Sequence, residues 1–187
     1  MKFRYSLQVM TVALGLSVAS IGAVYAQASD AAPSDAPVSG SKLSPADQQF
    51  VQTASQSDAT EIAASKIALK NSQDPHVRKF AQQMITDHTK LSHGMAALVS
   101  KKGFTTTPTA DSALVGKLQT LKGKEFDQAY IQKVGLEGHK QAIAAFEKEI
   151  AEGQNADLKK AAQKALPTIK EHYQRAQQLA AKKGVTQ

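Results

Sequence analysis

Cysteine and tryptophan are absent from this 187-residue sequence, and aromatic residues make up only 5% of it. Without cysteine, the chain can form no disulfide, no thiolate metal site, no iron–sulfur cluster and no cysteine nucleophile. Any chemistry must therefore come from histidines, carboxylates or hydroxyl groups. The length allows one domain with a sizeable core and excludes a barrel enzyme or a two-domain nucleotide fold. Alanine, with 31 residues, supplies much of the apolar content and favours helix over sheet.

Residues 1–26 have the pattern of a cleaved secretory signal peptide. Two cationic residues lie near the start, an apolar stretch covers residues 9–24, and a Val-Tyr-Ala sequence precedes a cut after Ala26, with Ala28 as the alternative. The apolar stretch has roughly 16 residues, fewer than the ~20 that an uncleaved membrane anchor needs. We therefore predict a periplasmic or secreted protein without stable membrane insertion after cleavage.

The next segment, residues 27–43, is rich in alanine, serine, aspartate, proline and glycine and has little to bury. We predict that it is a disordered linker. The folded domain is predicted to cover residues 44–187. Its start is marked by Ser44-Pro45-Ala46-Asp47, which combines an N-cap serine, a proline at the first helical position and an acid at the third.

Start and stop signals divide the folded domain into four long helices. The endings repeat lysines followed by glycine, as in Lys182-Lys183-Gly184. No useful length of sequence alternates apolar and polar residues with a period of two, so we predict no sheet. The predicted fold is all-α, an antiparallel four-helix bundle with a short extra helix in the connection between helices 2 and 3. The long helices are predicted at residues 45–71, 75–102, 124–153 and 155–183, and the short one at 111–122.

Each long helix carries one ionisable residue on its apolar face. In the second helix, His88 lies in the middle of a stripe whose apolar members, such as Phe80 and Met84, recur at steps of three and four. In chain order, the four ionisable residues are Glu61, His88, His139 and His172. All four lie near the middle of their helices, so an antiparallel bundle would bring them to one level, within a turn or two.

Buried charge of this kind costs several kcal/mol per ion unless it is paired or coordinated. One solution is a transition metal, because three imidazoles and one or two carboxylates suit iron, zinc, copper or manganese. Asp87 would then join the ligands or orient His88 by accepting a hydrogen bond from its ring. The other solution is a metal-free hydrogen-bond network in which His139 or His172 donates to Glu61. A di-iron carboxylate site is disfavoured, because positions 85 and 169 are isoleucine where a Glu-x-x-His pair needs glutamate.

A set of short motifs follows the predicted signal peptide in a recognisable order. It comprises Asp47-x-x-Phe50, Glu61, Val77-Arg78-Lys79-Phe80-Ala81 with Met84 and Asp87-His88, Phe126-Asp127-x-x-Tyr130, His139-Lys140 and Leu166-Pro167-x-x-x-x-His172. This order resembles the DUF4142 family over about residues 43–185. The resemblance implies a bacterial exported protein with a ferritin-like four-helix bundle and no assigned biochemical role. It also places the three histidines and the glutamate at polar positions that match the family pattern.

The formal charge of +7, about +5 after cleavage, is spread over the predicted solvent faces of all four helices. No basic stripe with interleaved aromatic residues is present, and export argues against nucleic acid as a partner. The positive charge also allows weak binding to anionic surfaces of the envelope, and the simpler interpretation is that such binding is incidental to the function.

Two functional hypotheses follow from the sequence. The first is an exported bundle that binds a transition-metal ion through Glu61, His88, His139 and His172, for storage, sensing or stress protection. The second is a metal-free structural or interaction module of the envelope, whose buried polar cluster only sets the packing. No nucleophile elbow, phosphate loop or pair of catalytic acids is visible, so the sequence supports no enzymatic activity.

Overall fold

The computed structural model describes residues 42–185, all of which lie within one compact unit. The predicted signal peptide and most of the predicted linker lie outside the described residues. Lys42 and Leu43, at the end of that linker, contact the helical region: the Lys42 amide donates to the carbonyl of Lys102 at 3.0 Å, and the Leu43 side chain is buried.

Helices account for nearly all of the regular structure, and the described part of the chain contains no strand. The all-α prediction is therefore confirmed. The predicted short helix between the second and third long helices is also present, as α3. The helices are α1 (Pro45–Asn71), α2 (Pro75–Ser100), α3 (Ser112–Thr120), α4 (Gly123–Tyr130), α5 (His139–Glu152) and α6 (Ala156–Lys183), with a π-helical segment (Ile131–Gly138) between α4 and α5.

Local capping explains where the long helices begin and end. At the start of α1, the Ser44 hydroxyl accepts from the Asp47 amide at 3.1 Å, and the Asp47 carboxylate accepts from the Ser44 amide at 3.2 Å. This reciprocal arrangement is a capping box. At the other end of the domain, Gly184 terminates α6 in the left-handed conformation (φ 64°), which glycine adopts without steric cost.

The third long helix differs from a regular α-helix. Its predicted span begins near residue 124, and the structure shows a continuous helical run in which α4, the π segment and α5 follow one another. A Cβ added at Gly135 in the π segment would lie 2.8 Å from the Ala176 Cβ of α6. Glycine at this position therefore allows the π segment and α6 to approach more closely than any other residue would.

The helices enclose two apolar clusters. Packing joins α1 to α2 and α5 to α6, and α6 also contacts α2 and the π segment. The first cluster contains Phe80, Met84, Phe126, Tyr130 and Ala176, together with ten other buried side chains. The second contains Phe50, Met95, Phe146, Leu158 and Ile169, together with seven others. No described helix is long and apolar enough to cross a membrane.

Four buried polar residues lie where the two clusters meet. Along α2, His88 separates Met84 of the first cluster from Met95 of the second. The sequence predicts that the polar residues lie at one height along the bundle, and this height is the boundary between the two apolar clusters. The same separation holds on the other helices for Glu61, His139 and His172.

Candidate metal centre

The structure brings all four predicted ligand candidates together in the interior. Their exposed fractions range from 0% for His139 to 3% for Glu61. The centroids of the three imidazole rings form a nearly equilateral triangle, with separations of 5.1, 5.5 and 5.6 Å. One ligand nitrogen from each ring lies within 4.8 Å of the other two, as three ligands of one metal ion require.

Asp58 is a fifth member of the cluster that the sequence prediction omitted. It lies one turn before Glu61 on α1 and is buried, and its Oδ1 lies 2.8 Å from the Nδ1 of His88. The Oε2 of Glu61 lies 3.0 Å from the same nitrogen. The spacing of three residues could have indicated Asp58, because residues i and i+3 of a helix share a face.

His139 owes its orientation to the π segment that precedes it. Its Nδ1 lies 2.9 Å from the main-chain carbonyl oxygen of Val134, which can only accept a hydrogen bond. The Nδ1 therefore carries the proton. The Nε2 is buried and has no hydrogen-bond partner among the described residues. Because burial lowers the pKa of His139, the ring is neutral and the Nε2 presents an unpaired lone pair to the cluster.

His172 is held from the opposite side by Asp87, which lies next to the cluster. The Nε2 of His172 donates to Oδ2 of Asp87 at 2.8 Å, and Gln83 donates to the same oxygen at 2.5 Å. Burial lowers the pKa of His172, so the ring is neutral and its Nδ1 carries a lone pair. That lone pair faces the Nε2 of His88 at 3.2 Å. Asp87 therefore orients His172, whereas the sequence suggested His88.

His88 carries the positive charge of the cluster. Burial by itself would lower its pKa, but the charge of Glu61 and the hydrogen bond to Asp58 raise the pKa to about 10. The protonated ring donates from Nδ1 to Asp58 and from Nε2 to His172. The proton on Nε2 of His88 lies between this nitrogen and Nδ1 of His172. Without it, two lone pairs would face each other and repel.

Glu61 retains a charge that its neighbours compensate only in part. Burial would raise the pKa of Glu61, but the positive charge of His88 lowers it, so the carboxylate is ionised. The single Nδ1 proton of His88 goes to Asp58, and neither oxygen of Glu61 has a hydrogen-bond donor among the described residues. The Oε1 lies 3.5 Å from the Nδ1 of His139, whose proton goes to Val134.

The donor set fits a transition-metal cation that takes the place of the Nε2 proton of His88. Such a cation would be attracted to the ionised Glu61, which accepts no hydrogen bond although its Oε2 lies 3.0 Å from Nδ1 of His88, and to the free lone pair on Nε2 of His139. The remaining nitrogen of each imidazole is hydrogen-bonded to a carboxylate or a carbonyl, the arrangement that orients metal-ligating histidines in other proteins.

Two further carboxylates of the third long helix and two further histidines do not belong to the cluster. Glu137 and Glu147 form ion pairs with Lys133 and Lys170, at 2.8 and 2.7 Å, on the flanks of their helix. The two further histidines in the described region, His76 and His93, are exposed. Neither pair of residues can complete the coordination of an ion inside the bundle.

The fold and the cluster define a class of small helical proteins with a buried histidine and carboxylate site. The chain belongs to the DUF4142 family, a domain of unknown function, whose profile matches residues 32–179. The predicted family is thereby confirmed. No curated protein matches the chain at a significant level.

Solved structures with a similar fold come from another family of unknown function. A DUF305 protein from Streptomyces coelicolor, described as a predicted secreted protein, has a TM-score of 0.66 at 19% identity and covers 75% of this chain and 94% of its own. A DUF305 fragment from Deinococcus radiodurans has a TM-score of 0.67 at 18% identity, covering 75% of this chain and 98% of its own.

A third similar structure is that of CopM in its Ag-bound form, obtained by soaking. It has a TM-score of 0.61 at 18% identity and covers 73% of this chain and 95% of its own. CopM has also been solved in a Cu(I)-bound form, with a TM-score of 0.61 at 16% identity. At these identities the likeness concerns the helical fold.

Proposed function

We propose that this protein is exported and binds one transition-metal ion through Glu61, His88, His139 and His172, in metal storage, sensing or envelope stress protection. The observation that carries the proposal is the pairing of an ionised, buried Glu61 that has no hydrogen-bond donor with the free Nε2 lone pair of His139. Unpartnered polar groups in a dry interior are costly, and a bound cation would satisfy both of them.

Copper is the first ion to test. Imidazole nitrogens suit copper, and sites with nitrogen and oxygen ligands bind Cu²⁺ more tightly than the other divalent ions of the first transition row. The Ag-bound and Cu(I)-bound forms of CopM, which has a similar fold, support the choice. Iron, zinc and manganese suit the same ligand types and are tested in parallel.

The finer architecture belongs to the same proposal. We infer a ferritin-like antiparallel bundle of four long helices, in which α4, the π segment and α5 together form the third. Connections of three residues between α1 and α2, and between α5 and α6, support it, because such short loops reverse the chain. The export signal at residues 1–26, the linker at 27–43 and the absence of nucleic acid partners remain part of the proposal.

Metal analysis of the natively purified protein tests the function. The protein is purified from periplasm, incubated with Cu⁺, Cu²⁺, Zn²⁺, Fe²⁺ or Mn²⁺ and desalted. The number of metal ions per chain is then measured by inductively coupled plasma mass spectrometry. We expect about one ion per chain for the parent and loss of that ion in a His88→Ala/His139→Ala variant. A His76→Ala/His93→Ala variant is the matched control, because it removes two exposed histidines. Equal metal content in both variants, or substoichiometric metal in the parent with every ion, would contradict the proposal.

The metal-free alternative makes the opposite prediction. The hydrogen bonds from His88 to Asp58 and from His172 to Asp87 satisfy one nitrogen of each ring from within the protein, which favours a role in packing. If the cluster only sets the packing, the His88→Ala/His139→Ala variant will lose stability while binding no less metal than the parent. Denaturant unfolding of the apoproteins, measured beside the metal analysis, separates the two functions.

A further inference from the structure

An ion that binds the cluster needs a route through the protein, because all four ligand candidates are buried. Two cavities reach the cluster from different sides. The first, of about 480 Å³, lies between α1 and the run formed by the π segment and α5, and its wall includes Glu61. The second, of about 390 Å³, lies mainly between α2 and α6, and its wall includes Asp58 and Asp87.

The first cavity ends at a carboxylate that accepts no hydrogen bond. Glu61 forms part of its wall, and the nearest charged group is the ring of His88, whose Nδ1 lies 3.0 Å from Oε2. In the second cavity, Asp58 and Asp87 already accept hydrogen bonds from His88 and His172. A cation that entered there would have to displace the interactions that orient the two rings.

Gly138 lies beside Glu61 in the wall of the first cavity. Its backbone is helical (φ −59°, ψ −47°), a conformation that any residue adopts. Glycine is therefore not needed for the conformation, and it costs about 1 kcal/mol relative to alanine in a helix. An added Cβ would lie 3.4 Å from the carbonyl oxygen of Lys133 and 3.6 Å from Oε1 of Glu61, so a larger side chain at this position would extend beside the carboxylate.

The charges around the two cavities also differ. The wall of the first carries three carboxylates, from Glu61, Asp111 and Glu137, and one ammonium group, from Lys133, which gives a net charge of −2 when all are ionised. The wall of the second carries two carboxylates and two ammonium groups, from Lys90 and Lys164, which cancel. A cleft lined by one sign of charge raises the local concentration of the opposite ion, so the first cavity favours cations.

We propose that the first cavity is the access passage through which a transition-metal cation reaches the histidine cluster, with Glu61 as the first ligand that the ion meets. The inference rests on the proposed metal site. It adds the direction of approach and the cationic nature of the species admitted. It concerns the rate of uptake, whereas the proposed function concerns binding at equilibrium.

Two matched glycine variants test the passage. Gly138→Val adds a branched side chain to the wall of the first cavity beside Glu61, and Gly94→Val adds the same side chain to the wall of the second, at a helical position where a Cβ meets nothing within 4 Å. Cu²⁺ uptake is followed by stopped-flow quenching of tyrosine fluorescence in the full mature chain. We expect uptake at least about tenfold slower in Gly138→Val, unchanged final Cu²⁺ per chain, and a parental rate in Gly94→Val.

The outcomes distinguish the passage from the site. Slowing in Gly94→Val alone, equal slowing in both variants, or no slowing in either would overturn the passage while leaving metal binding intact. If the parent binds another of the tested ions instead of Cu²⁺, the uptake of that ion is measured in the same variants, and absence of every tested ion from the parent would contradict the proposed function. The circular dichroism of each variant is compared with that of the parent to confirm folding.

A second variant keeps the test decisive if Gly138→Val does not fold. Asp111→Asn/Glu137→Gln neutralises two carboxylates of the first cavity, and asparagine at position 111 can still cap α3. We expect uptake to slow several-fold at low ionic strength and to match the parent at about 1 M salt, where charges are screened beyond roughly 3 Å. The control is Glu152→Gln/Glu171→Gln, which removes two exposed carboxylates from outside both cavities. Equal slowing in the control would overturn the passage.

Discussion

Each imidazole of the cluster has one nitrogen tied to a fixed acceptor, and this determines what the other nitrogen can do. His88 donates to Asp58, His139 to the carbonyl of Val134 and His172 to Asp87. The acceptors select the tautomers, because a carboxylate or a carbonyl cannot donate a hydrogen bond. The opposite nitrogens are thereby directed towards one another, and the cluster is preorganised for a cation.

Removal of one such acceptor should weaken metal binding without removing a ligand. We predict that Asp87→Ala lowers metal affinity about 10- to 100-fold, because His172 loses the partner that fixes its ring. Isothermal titration calorimetry with the bound ion measures the change. Glu171→Ala is the control, since this exposed carboxylate is adjacent to His172 in sequence but pairs with Arg175. Similar affinities for both variants would contradict an orienting role for Asp87.

A buried carboxyl outside the cluster, that of Glu149, lies near the start of α1. Glu149 is 4% exposed and lies beside Asp47, whose carboxylate also accepts from the amide of Gln154 at 2.9 Å. Burial raises the pKa of Glu149 to about 7 from its ordinary value of 4.5, and the charge of Asp47 adds to the effect. The protonated Glu149 can donate a hydrogen bond to Asp47.

This raised pKa has a consequence for stability. Between about pH 4.5 and pH 7 the folded protein holds a proton on Glu149 that the unfolded chain releases, so the contribution of Glu149 falls as the pH rises through this interval. We predict that Glu149→Gln loses less stability than the parent between pH 5 and pH 8, because its amide donates at every pH. Denaturant unfolding at the two pH values measures the difference. The exposed Glu152→Gln should behave like the parent, and an identical pH dependence in Glu149→Gln would contradict the prediction.

At the scale of the elements, the π segment connects packing with the site. It contains Val134, whose carbonyl oxygen accepts from the ring of His139, and Gly135, which lies against Ala176 of α6. Departures from regular α-helical hydrogen bonding of this kind are frequent at functional sites. The close approach to α6 and the orientation of His139 are thus properties of the same eight residues.

A double-mutant cycle tests the close approach. We predict that Gly135→Ala destabilises the fold by about 1–3 kcal/mol, since its Cβ would lie 2.8 Å from that of Ala176. Addition of Ala176→Gly should recover part of the loss, because it removes the opposing methyl group. Urea unfolding of the two single variants and the double variant gives the coupling energy. Strictly additive effects would show that the two positions do not limit the packing.

At the scale of the whole molecule, the proposed metal site joins residues from four different helices. Glu61 lies on α1, His88 on α2, His139 on α5 and His172 on α6, at the boundary between the two apolar clusters. An ion bound to all four would restrain the helices relative to one another. Since the unfolded chain does not preserve this constellation, binding would be coupled to global stability.

Saturation with metal should therefore raise the melting temperature. An ion present at 100 times its dissociation constant contributes about 2.7 kcal/mol, or roughly 5–10 °C for a chain of this size. Differential scanning calorimetry with and without the ion measures the shift, and a chelator should reverse it. His139→Ala should show no comparable shift, whereas His93→Ala, at an exposed position, should match the parent. A shift of equal size in His139→Ala would place the ion elsewhere.

The sequence by itself determined the helices, their ends and the four polar residues that face inwards. These features depend on local chemistry: the capping box at Ser44 and Asp47, the glycine that ends α6, and an apolar period of 3.6 residues. Such signals act within a few residues of the chain, so they can be recognised before any tertiary contact is known.

Only the tertiary structure decided how these residues meet. The pairing of Asp58 with His88 and of Asp87 with His172, the bare Nε2 of His139 and the cavity before Glu61 all depend on how each helix is rotated and shifted along its axis. Periodicity indicates the buried face to within about one position, whereas a hydrogen bond requires atoms to be placed within a few tenths of an ångström. Packing between helices supplies this placement.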